Sequence, residues 1–156
     1  MLWIREAKPE DHSQILSLIE RANLSTRGAV EEPTLFFVVE GMVEDKPVVV
    51  GTAGMVLCGD YGLFRSFVLE KQARSEKVIL ELIQILLRAA SDAKLDSVYL
   101  ITSQPSDWLQ ALCFYPIEEE EVPFEVACSI HFSEIANRGN IFSCSLMDRF
   151  IEQEDD

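Results

Sequence analysis

Residues 64–88 read FRSFVLEKQARSEKVILELIQILLR, and this stretch decides the fold. Phe64, Phe67, Val68 and Leu69 make an apolar run that suits an extended strand. A short charged turn follows, and then a long apolar segment with helical spacing. Over residues 77–90, Val78, Ile79, Leu82, Ile83, Ile85, Leu86 and Leu87 cover most of a helix's circumference, which predicts burial against a sheet. Ser75 is placed to cap that helix. At such a strand-to-helix junction the first N–H groups lack partners inside the helix, and the helix dipole adds partial positive charge. An anion is the natural guest there.

Working outward, residues 2–6 alternate as a strand with one wet face, and Pro9 opens a helix to residue 22 with Ile15, Leu16, Leu18 and Ile19 inward. Residues 24–33 form a polar loop. Residues 34–40 and 48–57 read as strands joined by a hairpin over 41–47. Gly51 and Gly54 inside the second strand mark a bulge or a close backbone approach. A turn at residues 59–62 leads into a strand over 63–69, completing an antiparallel meander. Beyond the long helix come a strand at 97–102, a short helix at 105–112, and strands at 114–117 and 140–150. The strand–helix–strand crossover requires the 97–102 strand to run parallel to the strand ending at Leu69. Residues 123–138 fit two patterns: Phe124, Val126 and Ile130 alternate like a strand, while Phe132, Ile135 and Ala136 suit a helical turn. The fold class is α+β, with one domain over residues 1–150 and an acidic tail at 151–156.

Composition narrows the function. The net charge of −14 supplies no basic surface for nucleic acid and disfavours anionic membranes. No apolar run is long enough to span a bilayer, and the first five residues are too short and too soon charged for a signal peptide. Cys58, Cys113, Cys128 and Cys144 lack paired spacing and read as reduced, mostly buried thiols of a cytoplasmic protein. No metal-ligand spacing occurs. The acidic run at residues 118–121 reads as a solvated edge, or as an acidic rim that would favour a cationic acceptor.

The order of elements resembles the Gcn5-related N-acetyltransferase (GNAT) superfamily. Its fold is a mixed, mostly antiparallel sheet with helices on both faces and a splayed parallel strand pair. Val49-Val50-Gly51-Thr52-Ala53-Gly54-Met55 matches the family's valine–glycine strand, and Phe64-Arg65-Ser66-Phe67-Val68-Leu69 matches the strand after it. In the pyrophosphate turn the family uses arginine or glutamine, two free positions, glycine, one free position, then glycine or alanine. This chain reads Arg74-Ser75-Glu76-Lys77-Val78-Ile79, so Arg74 is kept while Lys77 and Ile79 replace the small residues. Leu112 and Phe114 fit a later leucine–glycine–phenylalanine signature, with Cys113 in place of the glycine and Leu109 in place of a general-acid tyrosine. The segment after Pro123 is similar to the branch associated with arsenic-resistance operons.

The resemblance implies acetyl-coenzyme A as cofactor. It places the pantetheine near Phe67, Val68 and Leu69, and the pyrophosphate at Arg74, Ser75, Glu76, Lys77, Val78 and Ile79. The activity implied is direct transfer of an acetyl group to a small primary amine or amino acid, with Tyr115 as a displaced candidate for the catalytic acid. An alternative keeps the fold as a catalytically inactive ligand-binding or protein-interaction module. A further alternative is a homodimer formed by pairing of residues 141–147 with a second chain. His12, His131 and Cys113 read as ordinary structural residues.

Overall fold

Residues 2–29 and 31–146 are described in the structure, a computed structural model. The elements in chain order are β1 (Trp3–Glu6), α1 (His12–Arg21), β2 (Thr34–Val43), β3 (Lys46–Cys58), β4 (Tyr61–Leu69) and α2 (Glu76–Asp92). Then follow β5 (Ser97–Thr102), α3 (Asp107–Ala111), β6 (Tyr115–Ile117), α4 (Phe124–Ala127), α5 (Ile130–Ile135) and β7 (Asn140–Ser145). The fold is α+β. The described strands form one sheet in the order β1-β2-β3-β4-β5-β7-β6, antiparallel except at β4–β5.

Strand alternation sorts the core into two layers. On β2, Phe36 and Val38 pack with Ile15, Leu18 and Ile19 of α1, while Val39 joins the cluster built on α2. On β5, Val98 faces α2 and α3, whereas Tyr99 packs with Val126 of α4 and Phe132 of α5. Helices therefore cover both faces. The α2 stripe runs through Val78, Leu82, Ile83, Leu86, Leu87 and Ala90, and the Ser75 Oγ accepts a hydrogen bond from the Val78 N–H at 3.2 Å, as its cap position predicts.

Three expectations need revision. The hairpin between β2 and β3 turns at Glu44 and Asp45 alone, both left-handed, so the strands run to Val43 and resume at Lys46. The ambiguous 123–138 segment holds two short helices. β7 lies between β5 and β6, so the edge expected to be free over 141–147 is taken at residues 141–143, which pair on both sides, while residues 144 and 145 pair with β5 alone. The rest of the 140–150 strand prediction and the 151–156 tail lie outside the described residues.

Gly54 shows why β3 carries glycine. A Cβ there would stand 2.8 Å from the Phe36 ring and 3.3 Å from Arg65 Cγ, so the absent side chain makes room for both.

Candidate active site

β4 and β5 pair through only three positions, Tyr61–Ser97, Gly62–Val98 and Leu63–Tyr99. Beyond them the strands part, and a cleft of about 570 Å3 opens between Phe64–Leu69 on one side and Leu100–Thr102 on the other. Backbone groups on the facing strand edges there have no ladder partner across the gap.

A bulge in β4 shapes this wall. Thr52 pairs with Val68 and Gly54 with Arg65, so Ala53 opposes both Ser66 and Phe67. Ser66 takes a left-handed φ of 59°, a conformation that costs a non-glycine residue about 1–2 kcal/mol. The extra residue returns Phe67 to the face of Phe64, their ring centroids 5.8 Å apart, while Arg65, next to Phe64, faces the other way by ordinary strand alternation.

Arg65 is 2% exposed. Its Nε donates to Ser66 Oγ at 3.0 Å, Nη1 to the Arg27 carbonyl at 3.3 Å and Nη2 to the Ser25 carbonyl at 3.2 Å. Among the described residues no carboxylate forms an ion pair with it. Burial pulls its pKa below the usual range, and the fields of Glu32 and Glu31 oppose that pull. The Glu32 carboxylate itself caps α5. It accepts from the Ile130 N–H at 2.5 Å, the Ser129 hydroxyl at 2.9 Å and the His131 N–H at 3.3 Å. That cap seats His131 on the cleft wall, 6% exposed, with its Nδ1 buried and meeting no partner among the described residues. Burial first, and the Arg65 charge second, lower the His131 pKa to about 3, so the ring is neutral at pH 7. The Arg27–Glu134 ion pair ties the overlying loop to α5.

At the other end of the cleft, Arg74 lines the wall and its Nη2 donates to the Leu69 carbonyl at 3.1 Å. Ser75 satisfies two of the first N–H groups of α2: its Oγ takes Val78 and its carbonyl takes Ile79 at 3.1 Å. The Glu76 and Lys77 N–H groups occupy the first two helical positions, where the helix itself supplies no acceptor. Phe67, Leu69, Arg74 and Ile79 of the predicted cofactor set line the cleft, with Ile79 in the wall. Val68 packs with the α1 core on the far side of the sheet, and Ser75, Glu76, Lys77 and Val78 border the helix start without lining the cavity.

Other candidates fall away from the cleft. Tyr115 sits on β6 paired with Ser143, 53% exposed, and is not a lining residue. Leu109 is buried and lines the wall. Glu118–Glu121 are exposed and do not reach the cleft, so they form no acidic rim to it. Cys58 and Cys144 are buried, as expected of structural thiols, but Cys113 is half-buried and Cys128 exposed. Sequence reasoning gave no site role to Arg65, Ser66, His131 or Arg138, all of which line the cleft. The one available clue was a lone arginine inside an apolar strand.

No protein-family model matches the chain, and no curated protein sequence matches it. Solved structures do share the fold. N-acetylglutamate synthase from Neisseria gonorrhoeae, complexed with coenzyme A and N-acetyl-glutamate, superposes with a TM-score of 0.70 at 17% identity, covering 94% of this chain and 35% of that one. The present chain thus spans about a third of that protein's length. Rv2747 from Mycobacterium tuberculosis, in complex with CoA and NLQ, gives 0.68 at 19% identity, covering 92% of this chain and 98% of that one. An acetyltransferase of the GNAT family from Staphylococcus aureus gives 0.64 at 15% identity, covering 94% and 99%. The architecture is that of the GNAT fold.

Proposed function

We propose that the chain is a coenzyme A-dependent N-acyltransferase that moves an acetyl group directly to the amine of a small molecule. One observation carries the reading. In a chain with 27 acidic and 13 basic residues, the cleft between the splayed strands is lined, among the described residues, by three arginines and by no aspartate or glutamate. A polyanionic cofactor bound anywhere else would meet a repulsive field. The similar structures that hold coenzyme A support the same reading.

The residues present fit acetyl-coenzyme A, which supplies an acyl group already activated as a thioester. The Glu76 and Lys77 N–H groups, with the Arg74 and Lys77 side-chain charges, would hold its diphosphate at the start of α2. The unpaired edges of β4 and β5 would pair with its pantetheine amides as an added strand would. Phe67, Leu69 and Ile79 would exclude water from that arm. The β4 bulge at Ser66 then lies towards the acyl end, where strand N–H groups can polarise the carbonyl. The likeness to the arsenic-resistance branch rests on the residues after Pro123 and adds nothing to this assignment.

A second reading, the non-catalytic binding module, is favoured by one feature. Among the described residues no tyrosine lines the cleft, and Leu109 fills the position where the resemblance places the acid. Calorimetric titration with acetyl-coenzyme A and with coenzyme A separates the outcomes. The parent chain should bind both, and Lys77→Glu should weaken both about tenfold by setting a negative charge beside the diphosphate. Thiol release in the presence of small amines then distinguishes enzyme from module. Failure of the parent to bind either compound sinks both the cofactor assignment and the activity.

A further inference from the structure

Arg65 is an unusual expenditure of charge. A buried cation is costly unless an anion accompanies it, yet the three partners of this guanidinium are two loop carbonyls and a hydroxyl. A neutral donor could pin the same loop without burying a charge. We propose that the end of the cleft beside the β4 bulge is a carboxylate-binding subsite built on Arg65 and His131, and that the acyl acceptor is a small amino-carboxylate, an amino acid or a close relative, not a plain amine. The proposal rests on the acyl-transfer reading and refines it by substrate class.

Four features of the site converge on it. A guanidinium has five N–H donors, and three are spent here, one from each nitrogen. One N–H therefore remains on Nη1 and one on Nη2, and both are charge-assisted donors for a carboxylate. Of the two carboxylates whose fields reach Arg65, Glu32 is committed to the N–H groups of α5 and Glu31 is exposed, and among the described residues neither forms an ion pair with it. His131 Nδ1 lies on the same cleft, buried and without a partner among the described residues. It would donate to the ligand's carboxylate or accept from its amine, according to which ring nitrogen carries the proton. Position agrees as well. Arg65 and Leu69 are four residues apart on β4, roughly 13 Å at strand rise, so Arg65 stands well away from the diphosphate end and close to the bulge. An acidic protein gains a further advantage: Arg65 and the exposed Arg138 make this cleft a local attractor for a small anion that the rest of the surface repels.

The test uses N-acetyl-L-glutamine, N-acetyl-L-leucine and N-acetyl-L-phenylalanine, each titrated calorimetrically against its own neutral carboxamide. The full chain is used, with and without saturating coenzyme A. At least one acid should bind about 10- to 100-fold tighter than its amide, the range of a charged hydrogen-bonded pair. Arg65→Met should erase that preference, and Arg138→Gln should leave most of it. If Arg65→Met fails to fold, Arg65→Lys, which keeps the charge and loses the guanidinium, should still reduce the preference about tenfold. Equal affinity for every acid and its amide in the parent chain overturns the proposal, as does a preference that survives in a folded Arg65 variant. A preference for acids in a chain that binds no coenzyme A retires the acyl-transfer reading and keeps the subsite. Coenzyme A binding with no such preference does the reverse.

Discussion

Cys113 is the residue where glycine and alanine should exchange their usual order of stability. α3 ends in a Schellman motif. The Phe114 N–H donates to the Leu109 carbonyl at 2.8 Å, and the Cys113 N–H donates to the Gln110 carbonyl at 3.0 Å. That motif needs a left-handed residue at the position after the cap, and Cys113 supplies it with φ 70°. A side chain in that conformation costs about 1–2 kcal/mol, and a glycine there loses about 0.5–1 kcal/mol of that gain to the greater freedom of the unfolded chain. Comparing Cys113→Gly with Cys113→Ala cancels the contribution of the lost thiol, since both remove it. The glycine variant should be the more stable of the two by about 1 kcal/mol, worth roughly 2–4 °C in Tm for a domain of this size. Urea denaturation of both variants, with equal slopes, reads the difference directly. An alanine variant as stable as the glycine variant, or more so, refutes the assignment of backbone strain to Cys113. The result bears on the cleft, because α3 carries Trp108 and Leu109 into its wall.

Two further outcomes follow from the α5 cap. Glu32→Ala strips three hydrogen bonds from the start of α5 and should cost about 2–3 kcal/mol in urea denaturation; a loss under 0.5 kcal/mol would mean that water replaces the carboxylate without penalty. His131 has a folded pKa of about 3 against an ordinary 6.5. Between those values the unfolded chain binds the extra proton, so stability falls as pH drops from 6.5 towards 3, by at most about 1.4 kcal/mol per pH unit from this group. His131→Phe should remove that part of the acid sensitivity, seen as a flatter difference in urea midpoint between pH 6.5 and 4.5; an unchanged pH slope would place the ring in contact with water.

Much of the fold could be read because local signals agreed with one another. The change of period between residues 64 and 88 set the strand-to-helix junction, the Ser75 cap fixed where α2 begins, and the 97–102 strand fell on its observed bounds. What escaped was non-local. The cap of α5 comes from Glu32, about a hundred residues earlier in the chain, so nothing within 123–138 could announce that helix. The insertion of β7 between β5 and β6 is invisible in chain order, which is why residues 141–147 looked like a free edge. The Glu44–Asp45 turn lacks the asparagine or glycine that would have marked a two-residue hairpin. At the candidate site, the strand-to-helix junction capped by Ser75 was legible from helix rules alone. The Arg65 end of the cleft was not, because Arg65 and His131 are 66 positions apart and become neighbours only through the loop and cap that pack over the bulge.

The three rungs between β4 and β5 make the sheet behave like a zip fastened only at its foot. The Asp96 N–H bonded to the Asp60 carbonyl at 2.7 Å and the Leu146 N–H bonded to the Asp96 carbonyl at 3.0 Å serve as the stop that keeps it from running open. Whatever settles along the parted teeth replaces the missing crossbars. Its arrival would therefore stiffen the strands before and after the seam together, since they share the α2 core but only one short stitch of ladder.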